Sequence, residues 1–164
     1  MNNNFSSIAM QLCRRPDAEA VIIGSEKYPL LCGVLRFYRT GGGVLCAAEI
    51  SGLPDKDTPC RSGVFGFHIH GGECCSGNAD DPFADAEMHY NPENYPHPYH
   101  AGDMPPLFSN CGYAFSVFLT DRFSLRDVIG KTVIIHSKPD DFTTQPSGNS
   151  GEKIACGRIT GYCR

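Results

Sequence analysis

The chain has 164 residues, which suits one domain with a core of ordinary size. Its net charge of −4 and its 20% of charged residues exclude a basic surface for nucleic acid or anionic lipid. No apolar run approaches the roughly 20 residues that span a bilayer, so we expect neither a nucleic-acid nor a membrane partner. Glycine (18) and proline (12) are plentiful and helical periodicity is missing, which favours an all-β protein rich in loops.

Residues 1–17 are polar and predict an irregular N-terminal segment ahead of a single domain over residues 18–164. Apolar, β-branched stretches then predict seven strands. In chain order they are Ala18–Ile23, Leu30–Tyr38, Val44–Ser51, Val64–His70, Tyr113–Leu119, Thr132–His136 and Ile154–Ile159. The glycine-rich segment 40–43 predicts a hairpin turn. Residues 71–111 contain no convincing strand, and a loop of that length in a compact domain is usually functional or disordered.

The first residues show neither the basic region nor the apolar region of a secretory leader. This favours a cytoplasmic protein, with export to the periplasm or cell surface as the alternative if a leader is missing from this chain. The nine cysteines are an odd number, so at least one thiol is unpaired or pairs between chains. No Cys-x-x-Cys occurs, which argues against a zinc ribbon and a thioredoxin motif.

All six histidines lie between residues 68 and 136, and each falls into a pattern typical of metal sites. His68 and His70 alternate with Phe67 and Ile69, so both imidazoles point to the same face of a predicted strand. Two such rings can bind one cation, although an isolated pair is also found as two unremarkable strand histidines. Imidazole is a ligand that suits both copper and zinc.

The second pattern lies within the long loop and comprises His89, His97, His100 and Asp103. Three nitrogens and one carboxylate oxygen satisfy a tetrahedral zinc ion with no open position, which is the composition of a structural zinc site. A histidine-rich surface loop is the alternative. The remaining histidines favour the metal site because they complete a second group, so we interpret residues 71–111 as a loop organised by metal.

Five motifs in series resemble the copper,zinc superoxide dismutase family, in its bacterial-type branch. They are Phe67–His70, Met88–Pro92, His100–Asp103, Val133–Asp141 and Gly148–Gly157, within a match that runs from about residue 18 to residue 160. The resemblance implies a flattened eight-stranded Greek-key β-barrel with two long loops, an immunoglobulin-like sandwich architecture for which this family is a known example. It also implies dismutation of superoxide to dioxygen and hydrogen peroxide, with copper and zinc as cofactors.

The resemblance assigns a role to each candidate residue. The implied copper ligands are His68, His70, His89 and His136, and the implied zinc ligands are His89, His97, His100 and Asp103. His89 would bridge both metals as an imidazolate and carry a catalytic proton. Asp140 would link a copper histidine to a zinc histidine through hydrogen bonds, which fixes ring tautomer and orientation; a turn residue is the alternative.

The resemblance further implies a disulfide between Cys156 and a cysteine of the first long loop. Cys74 and Cys75 are both possible partners, and Cys75 matches the bacterial spacing from the His-x-His motif. Two reduced thiols are the alternative in a reducing compartment. Cys46 lies in an apolar strand and is expected to be a buried thiol.

Two departures from the family pattern concern function. Lys153 stands where the family has the arginine that docks superoxide, and lysine keeps the charge but loses the planar fork of donors. We therefore expect an active enzyme that is slower than an arginine version; a lysine pointing into solvent is the alternative. In addition, only two residues separate His97 from His100, fewer than is usual in the family.

Two other functions remain compatible with the sequence. A copper/zinc-binding protein of the same fold with little or no turnover would have the same ligands. A structural protein crosslinked through its spare cysteines would explain the thiols but not two complete ligand sets. The expected partner is the superoxide anion, and a homodimer is possible.

Overall fold

The computed structural model describes residues 5–54 and 63–162, with side chains from residue 8 onward. These described ranges contain nine strands. They are β1 (Ala18–Gly24), β2 (Cys32–Thr40), β3 (Gly43–Ser51), β4 (Val64–Phe65), β5 (Phe67–His70), β6 (Leu107–Phe108), β7 (Ala114–Thr120), β8 (Thr132–His136) and β9 (Lys153–Gly161). The helices are α1 (Phe5–Leu12), α2 (Leu125–Val128) and a 3₁₀ turn over Ala84–Ala86. Within the described ranges, no helix is long and apolar enough to cross a bilayer.

The strands form one curled antiparallel sheet. Its order is β5-β8-β9-β1-β2-β3-β7, and a second sheet contains β4 and β6. Because β4 leads through Gly66 into β5 while β6 contacts β7, the small sheet joins the two edges of the large one. The predicted strand Val64–His70 is thus divided in two, and counting β4 and β5 as one gives the eight strands that were expected. The all-β prediction is confirmed.

The concave face of the sheet encloses the main core. Its largest fully buried members include Phe37, Phe65, Phe67 and Leu35. Phe65, Phe67 and Ile69 are every second residue along β4 and β5, and all three are fully buried, as their period-two spacing predicts. The turn between β2 and β3 pairs Thr40 with Gly43, which confirms the predicted hairpin.

The N-terminal segment differs from the sequence prediction. It was expected to be irregular, whereas the structure has helix α1 over Phe5–Leu12. Ile8 and Leu12 are four residues apart, so both lie on one face of the helix and pack against the outer side of the sheet at Tyr38 and Leu45. A helix of 8 residues is marginal in isolation, so this apolar contact accounts for it better than local propensity does.

The long loop over residues 71–111 contains no strand longer than β6, in agreement with the prediction. It runs along the edge of β5 that β8 leaves free. The backbone of Ile69 accepts from Tyr90 (2.8 Å) and donates to Gly102 (2.9 Å), and a Cβ on Gly102 would collide with the carbonyl of Ile69. Isolated bridges pair His70 with His89 and His68 with Asp103. The fold thereby places the loop ligands opposite the His-x-His strand.

Candidate metal centre

The first group of ligands consists of four buried histidines from two strands and the loop. His68 and His70 project from one face of β5, His136 ends the neighbouring strand β8, and His89 comes from the loop. One ring nitrogen of each lies within 4.8 Å of the others. His70 Nε2 and His136 Nε2 are 3.2 Å apart. Sheet pairing therefore fixes three of the four rings, and the loop supplies the fourth.

Hydrogen bonds to the ring nitrogens that face away from the group fix the tautomers of two of these histidines. His70 Nδ1 donates to the Glu87 carbonyl at 2.8 Å, and His136 Nδ1 donates to the Gly151 carbonyl at 3.3 Å. Because a carbonyl oxygen can only accept, both protons belong on Nδ1. The lone pair of Nε2 in each ring then faces the cluster, which is the arrangement a metal requires.

The second group shares His89 with the first and adds His97, His100 and Asp103. His89 Nδ1 lies 2.8 Å from Asp103 Oδ1, and His97 Nδ1 lies 3.1 Å from Asp103 Oδ2. His100 Nδ1 is 3.4 Å from His89 Nδ1. Both His97 and His100 reach the group although only two residues separate them, so the short spacing does not prevent convergence. Three nitrogens and a carboxylate form a closed tetrahedral set.

Asp140 connects the two groups. Its Oδ2 accepts from His68 Nε2 at 2.7 Å, and its Oδ1 accepts from His97 Nε2 at 2.8 Å and from the Phe142 backbone N–H at 2.7 Å. Burial favours the neutral acid, but the hydrogen bonds from His68, Phe142 and His97 outweigh it and hold the pKa of Asp140 well below its usual value. The carboxylate is therefore ionised, and it orients one ring of each group.

Three buried ring nitrogens have no hydrogen-bond partner among the described residues: His68 Nδ1, His89 Nε2 and His97 Nδ1. Each points into one of the two groups, and the 3.1 Å approach of His97 to Asp103 lacks hydrogen-bond geometry. Leaving such atoms unpaired costs about 1–3 kcal/mol each, so a native structure usually gives them a partner. These residues consequently fit two metal ions, one at each group, and His89 belongs to both groups.

Burial keeps three histidines of the first group neutral, namely His68, His70 and His136. It lowers the pKa of His68 to about 4 and that of His136 to about 3, and it lowers the pKa of His70 well below the ordinary value. Burial also lowers the pKa of His100 in the second group. Neutral imidazole is the form that binds metal, so the folded chain presents ready ligands at neutral pH.

We expect the metal-free protein to lose stability as the pH falls from 7 to 5. His68, His70 and His136 stay neutral in the folded state, whereas in the unfolded chain they take up protons below about pH 6.5. The unfolded state then binds more protons, which lowers the free energy of unfolding by up to about 1.4 kcal/mol per histidine and pH unit.

Urea unfolding of the metal-free protein should show a loss of at least about 2 kcal/mol between pH 7 and pH 5. Asp103 and Asp140 do not contribute in this window, because their pKa values are lowered and their stabilisation is lost only below pH 4. Equal stability at the two pH values would contradict neutral, buried histidines.

Lys153 lies beside the first group, but it is not free. It is the cross-strand partner of His136 and shares a groove of about 1010 Å³ with His70, His89 and His136. Its Nζ donates to Asp81 Oδ2 at 2.7 Å and to the Phe83 carbonyl at 3.0 Å. The alternative of a lysine pointing into solvent is therefore wrong. Nothing in the sequence around Asp81 indicates this ion pair.

A second residue that the sequence analysis missed is Arg122, just after β7. Its Nη1 donates to the carbonyl oxygens of Pro98 (3.0 Å) and His100 (3.3 Å), and Asp103 O lies at 3.5 Å. Arg122 thus clamps the segment that carries three ligands of the second group. An exposed arginine in a loop gives no sequence signal of such a role.

Cys75 and Cys156 form a disulfide, which is the pairing that the resemblance implies. Cys74 beside it is an exposed thiol, and Cys46 is buried in β3, where burial raises the pKa of its thiol. Cys13, Cys32 and Cys111 are exposed free thiols, while Cys60 and Cys163 lie outside the described residues. The bridge ties the loop that carries His89 to strand β9.

Comparisons with known proteins agree with this geometry. Residues 31–159 match the family Sod_Cu, copper/zinc superoxide dismutase. A superoxide dismutase [Cu-Zn] of Legionella pneumophila is 32% identical over 163 residues, covering 94% of this chain and 91% of that protein. Superoxide dismutase [Cu-Zn] 2 of Aquifex aeolicus is 32% identical over 158 residues, covering 87% of this chain and 85% of that protein.

The fold has a counterpart among solved structures as well. The Cu/Zn superoxide dismutase from Brucella abortus superposes with a TM-score of 0.69 at 23% identity, covering 86% of this chain and 98% of that one. This likeness confirms the expected Greek-key β-barrel fold. Together with the family match, it shows that the chain belongs to the copper/zinc superoxide dismutase family.

Proposed function

We propose that this chain dismutates superoxide to dioxygen and hydrogen peroxide. The observation that carries the proposal is the pair of buried ligand groups that share His89 and leave three unpaired nitrogens facing inward. In this proposal His68, His70, His89 and His136 hold copper, and His89, His97, His100 and Asp103 hold zinc. Residues 18–164 then form the single catalytic domain.

Bound copper supplies one-electron exchange with superoxide, and bound zinc supplies a fixed positive charge without redox chemistry. The residues of the chain hold a proton and orient the ligands. Two superoxide anions and two protons give one dioxygen and one hydrogen peroxide. His89 can hold one of these protons at Nε2, which has no hydrogen-bond partner among the described residues, while Nδ1 stays beside Asp103. Asp140 keeps His68 and His97 turned toward their metals through its two oxygens.

The test is dismutation by the purified protein after it is loaded with one equivalent each of copper and zinc, with metal content measured on the same sample. His136→Ala removes a copper ligand and should lower copper-dependent turnover at least about 100-fold. Cys74→Ser is the matched control, because it removes an exposed thiol that could bind copper but lies outside both groups. It should retain wild-type turnover.

Two fully bound metals with negligible turnover in the wild type would contradict the proposal. That result would support the other function compatible with the sequence, a copper/zinc-binding protein of the same fold. Turnover that survives in His136→Ala would place the chemistry elsewhere. In either case the metal contents distinguish a failure to load from a failure to react.

We also propose that the protein is a homodimer. Exposed aromatic side chains at the β6–β7 edge support this, since Phe108 is 70% exposed, Phe115 62% and Tyr113 43%. Apolar patches of this kind on a soluble protein are typical of interfaces. Sedimentation velocity of the wild type and of Phe115→Glu decides it, because a monomer in both would contradict the dimer.

A further inference from the structure

The ammonium group of Lys153 is already neutralised by a carboxylate. The ion pair with Asp81 measures 2.7 Å, and the lysine side chain is only 14% exposed. The second acceptor, the carbonyl of Phe83, lies on the same loop at 3.0 Å. A cation that is paired and mostly shielded attracts an incoming anion much less than a free one does.

Asp81 is itself fixed in place. Its backbone N–H donates to Asn78 Oδ1 at 3.0 Å, and its Oδ1 accepts from the Phe83 backbone N–H at 3.0 Å. Only Oδ2 remains to face Lys153. The pair is therefore part of a built turn over residues 78–83 and differs from a chance contact between two mobile side chains.

The pair stands at the entrance to the first ligand group. Asp81 and Lys153 line the same groove as His70 and His136. Three further acids, Glu26, Asp80 and Glu152, also line it, and its other lysine, Lys27, pairs with Glu152 at 2.9 Å. Among the described contacts, Asp81 is the carboxylate that pairs with Lys153, while Glu152 is already paired with Lys27.

We propose that Asp81 sets the anion affinity of this groove by neutralising Lys153. The inference rests on the proposed function, in which the anion is superoxide. Superoxide dismutases are an established case of electrostatic steering by a positive site. In this chain Asp81 opposes that steering, so removing its charge should strengthen anion binding and raise turnover. Asp81 is thus a positioning residue that acts through Lys153.

Asp81→Asn is the variant of choice because the amide oxygen can still accept from the Phe83 N–H while the charge on Oδ2 is lost. Asp80→Asn is the matched control. It removes the same charge from the neighbouring residue of the same groove, but Asp80 makes no ion pair with Lys153. The double variant Asp81→Asn with Lys153→Met tests whether the effect passes through the lysine.

The primary readout is azide affinity of the copper- and zinc-loaded protein, followed by visible absorption. We expect Asp81→Asn to bind azide about 3–10 times more tightly than the wild type, and to gain turnover by a similar factor at low salt. Asp80→Asn should change either quantity less than about twofold, and the double variant should lose the gain. Raising the ionic strength to 0.15 M should reduce the gain in turnover.

A second readout needs no metal. Limited acetylation of the metal-free protein, read by mass spectrometry, should modify Lys153 faster in Asp81→Asn than in the wild type or in Asp80→Asn. Unchanged azide affinity and unchanged labelling in Asp81→Asn would overturn the inference, as would an equal gain in Asp80→Asn. Absent copper-dependent turnover in the wild type would instead contradict the proposed function, so the two failures are distinguishable.

Discussion

Replacing Asp140 by asparagine should weaken the binding of at least one of the two metals by about 10–100-fold, although Asp140 reaches neither ligand group with a coordinating atom. The carboxylate accepts from His68 through Oδ2 and from His97 and the Phe142 N–H through Oδ1. An asparagine side chain has one acceptor oxygen and one donor nitrogen. Because His68 and His97 donate to different oxygens of Asp140, only one of them would still face an acceptor.

The histidine that faces the new NH₂ group must either lose its partner or change tautomer. A change of tautomer would put the proton on Nδ1, the nitrogen that points into the ligand group and is unpaired in both His68 and His97. The loss of negative charge also withdraws the partner that strengthens both rings as ligands. Affinity should fall for this reason even where the fold is unchanged.

Competition titrations with a chelator, done separately for copper and zinc, measure the effect. Asp141→Asn is the matched control, because Asp141 is adjacent but its side chain bonds only to Thr143 and Thr144. It should keep wild-type affinity for both metals. Wild-type affinity for both metals in Asp140→Asn would show that the bridge seen in the structure is not needed to orient the rings.

Residues close in the chain were the most predictable part of this site. The period-two pattern over Val64–His70 correctly placed Phe67 and Ile69 in the hydrophobic core and the two histidines on the other face of the strand, because alternation is a local property of a strand. The loop ligands also carry their own chemical signature, since three imidazoles and a carboxylate within one short segment are typical of a zinc site. Motifs in series then linked the two groups.

Contacts between residues that are distant in the chain could not be predicted from the sequence. The pairing of Lys153 with Asp81 spans 72 positions, and neither side chain is unusual where it stands. The sequence prediction missed helix α1 for a related reason. Its apolar face is short, and what stabilises the helix is its packing against Tyr38 and Leu45. In both cases a tertiary contact determines the structure, and the local sequence pattern does not indicate the partner residue.

Loss of the disulfide should lower the free energy of unfolding of the metal-free protein by about 2–5 kcal/mol. The bridge joins Cys75 to Cys156 across 81 positions, and the chain-entropy relation gives about 4.5 kcal/mol for a loop of that length. For a protein of this size the thermal midpoint should fall by roughly 4–20 °C. Loss of the bridge should also lower turnover by more than the loss of stability alone would, because the released loop carries His89.

The adjacent thiol makes the choice of variant important. Cys74 is exposed and next to Cys75, so in Cys75→Ser it could form a bridge to Cys156 and mask the loss. The informative variant is therefore Cys74→Ser with Cys75→Ser, compared with Cys74→Ser alone, in which the native bridge remains. Differential scanning calorimetry with and without reductant should show the large decrease only in the double variant or after reduction.

A midpoint that is equal in the two variants would mean that the loop is fastened by its other contacts. These contacts include the packing of Phe83 and Ala86 against Ile134 and Cys156, and the ion pair of Asp81 with Lys153. The ion pair lies on the same loop and the same strand as the disulfide, so both act on one segment. If the disulfide proved dispensable, Asp81→Asn would be the variant that releases the loop once the disulfide is reduced. We would then expect this substitution to lower the free energy of unfolding of the reduced protein but not that of the oxidised protein.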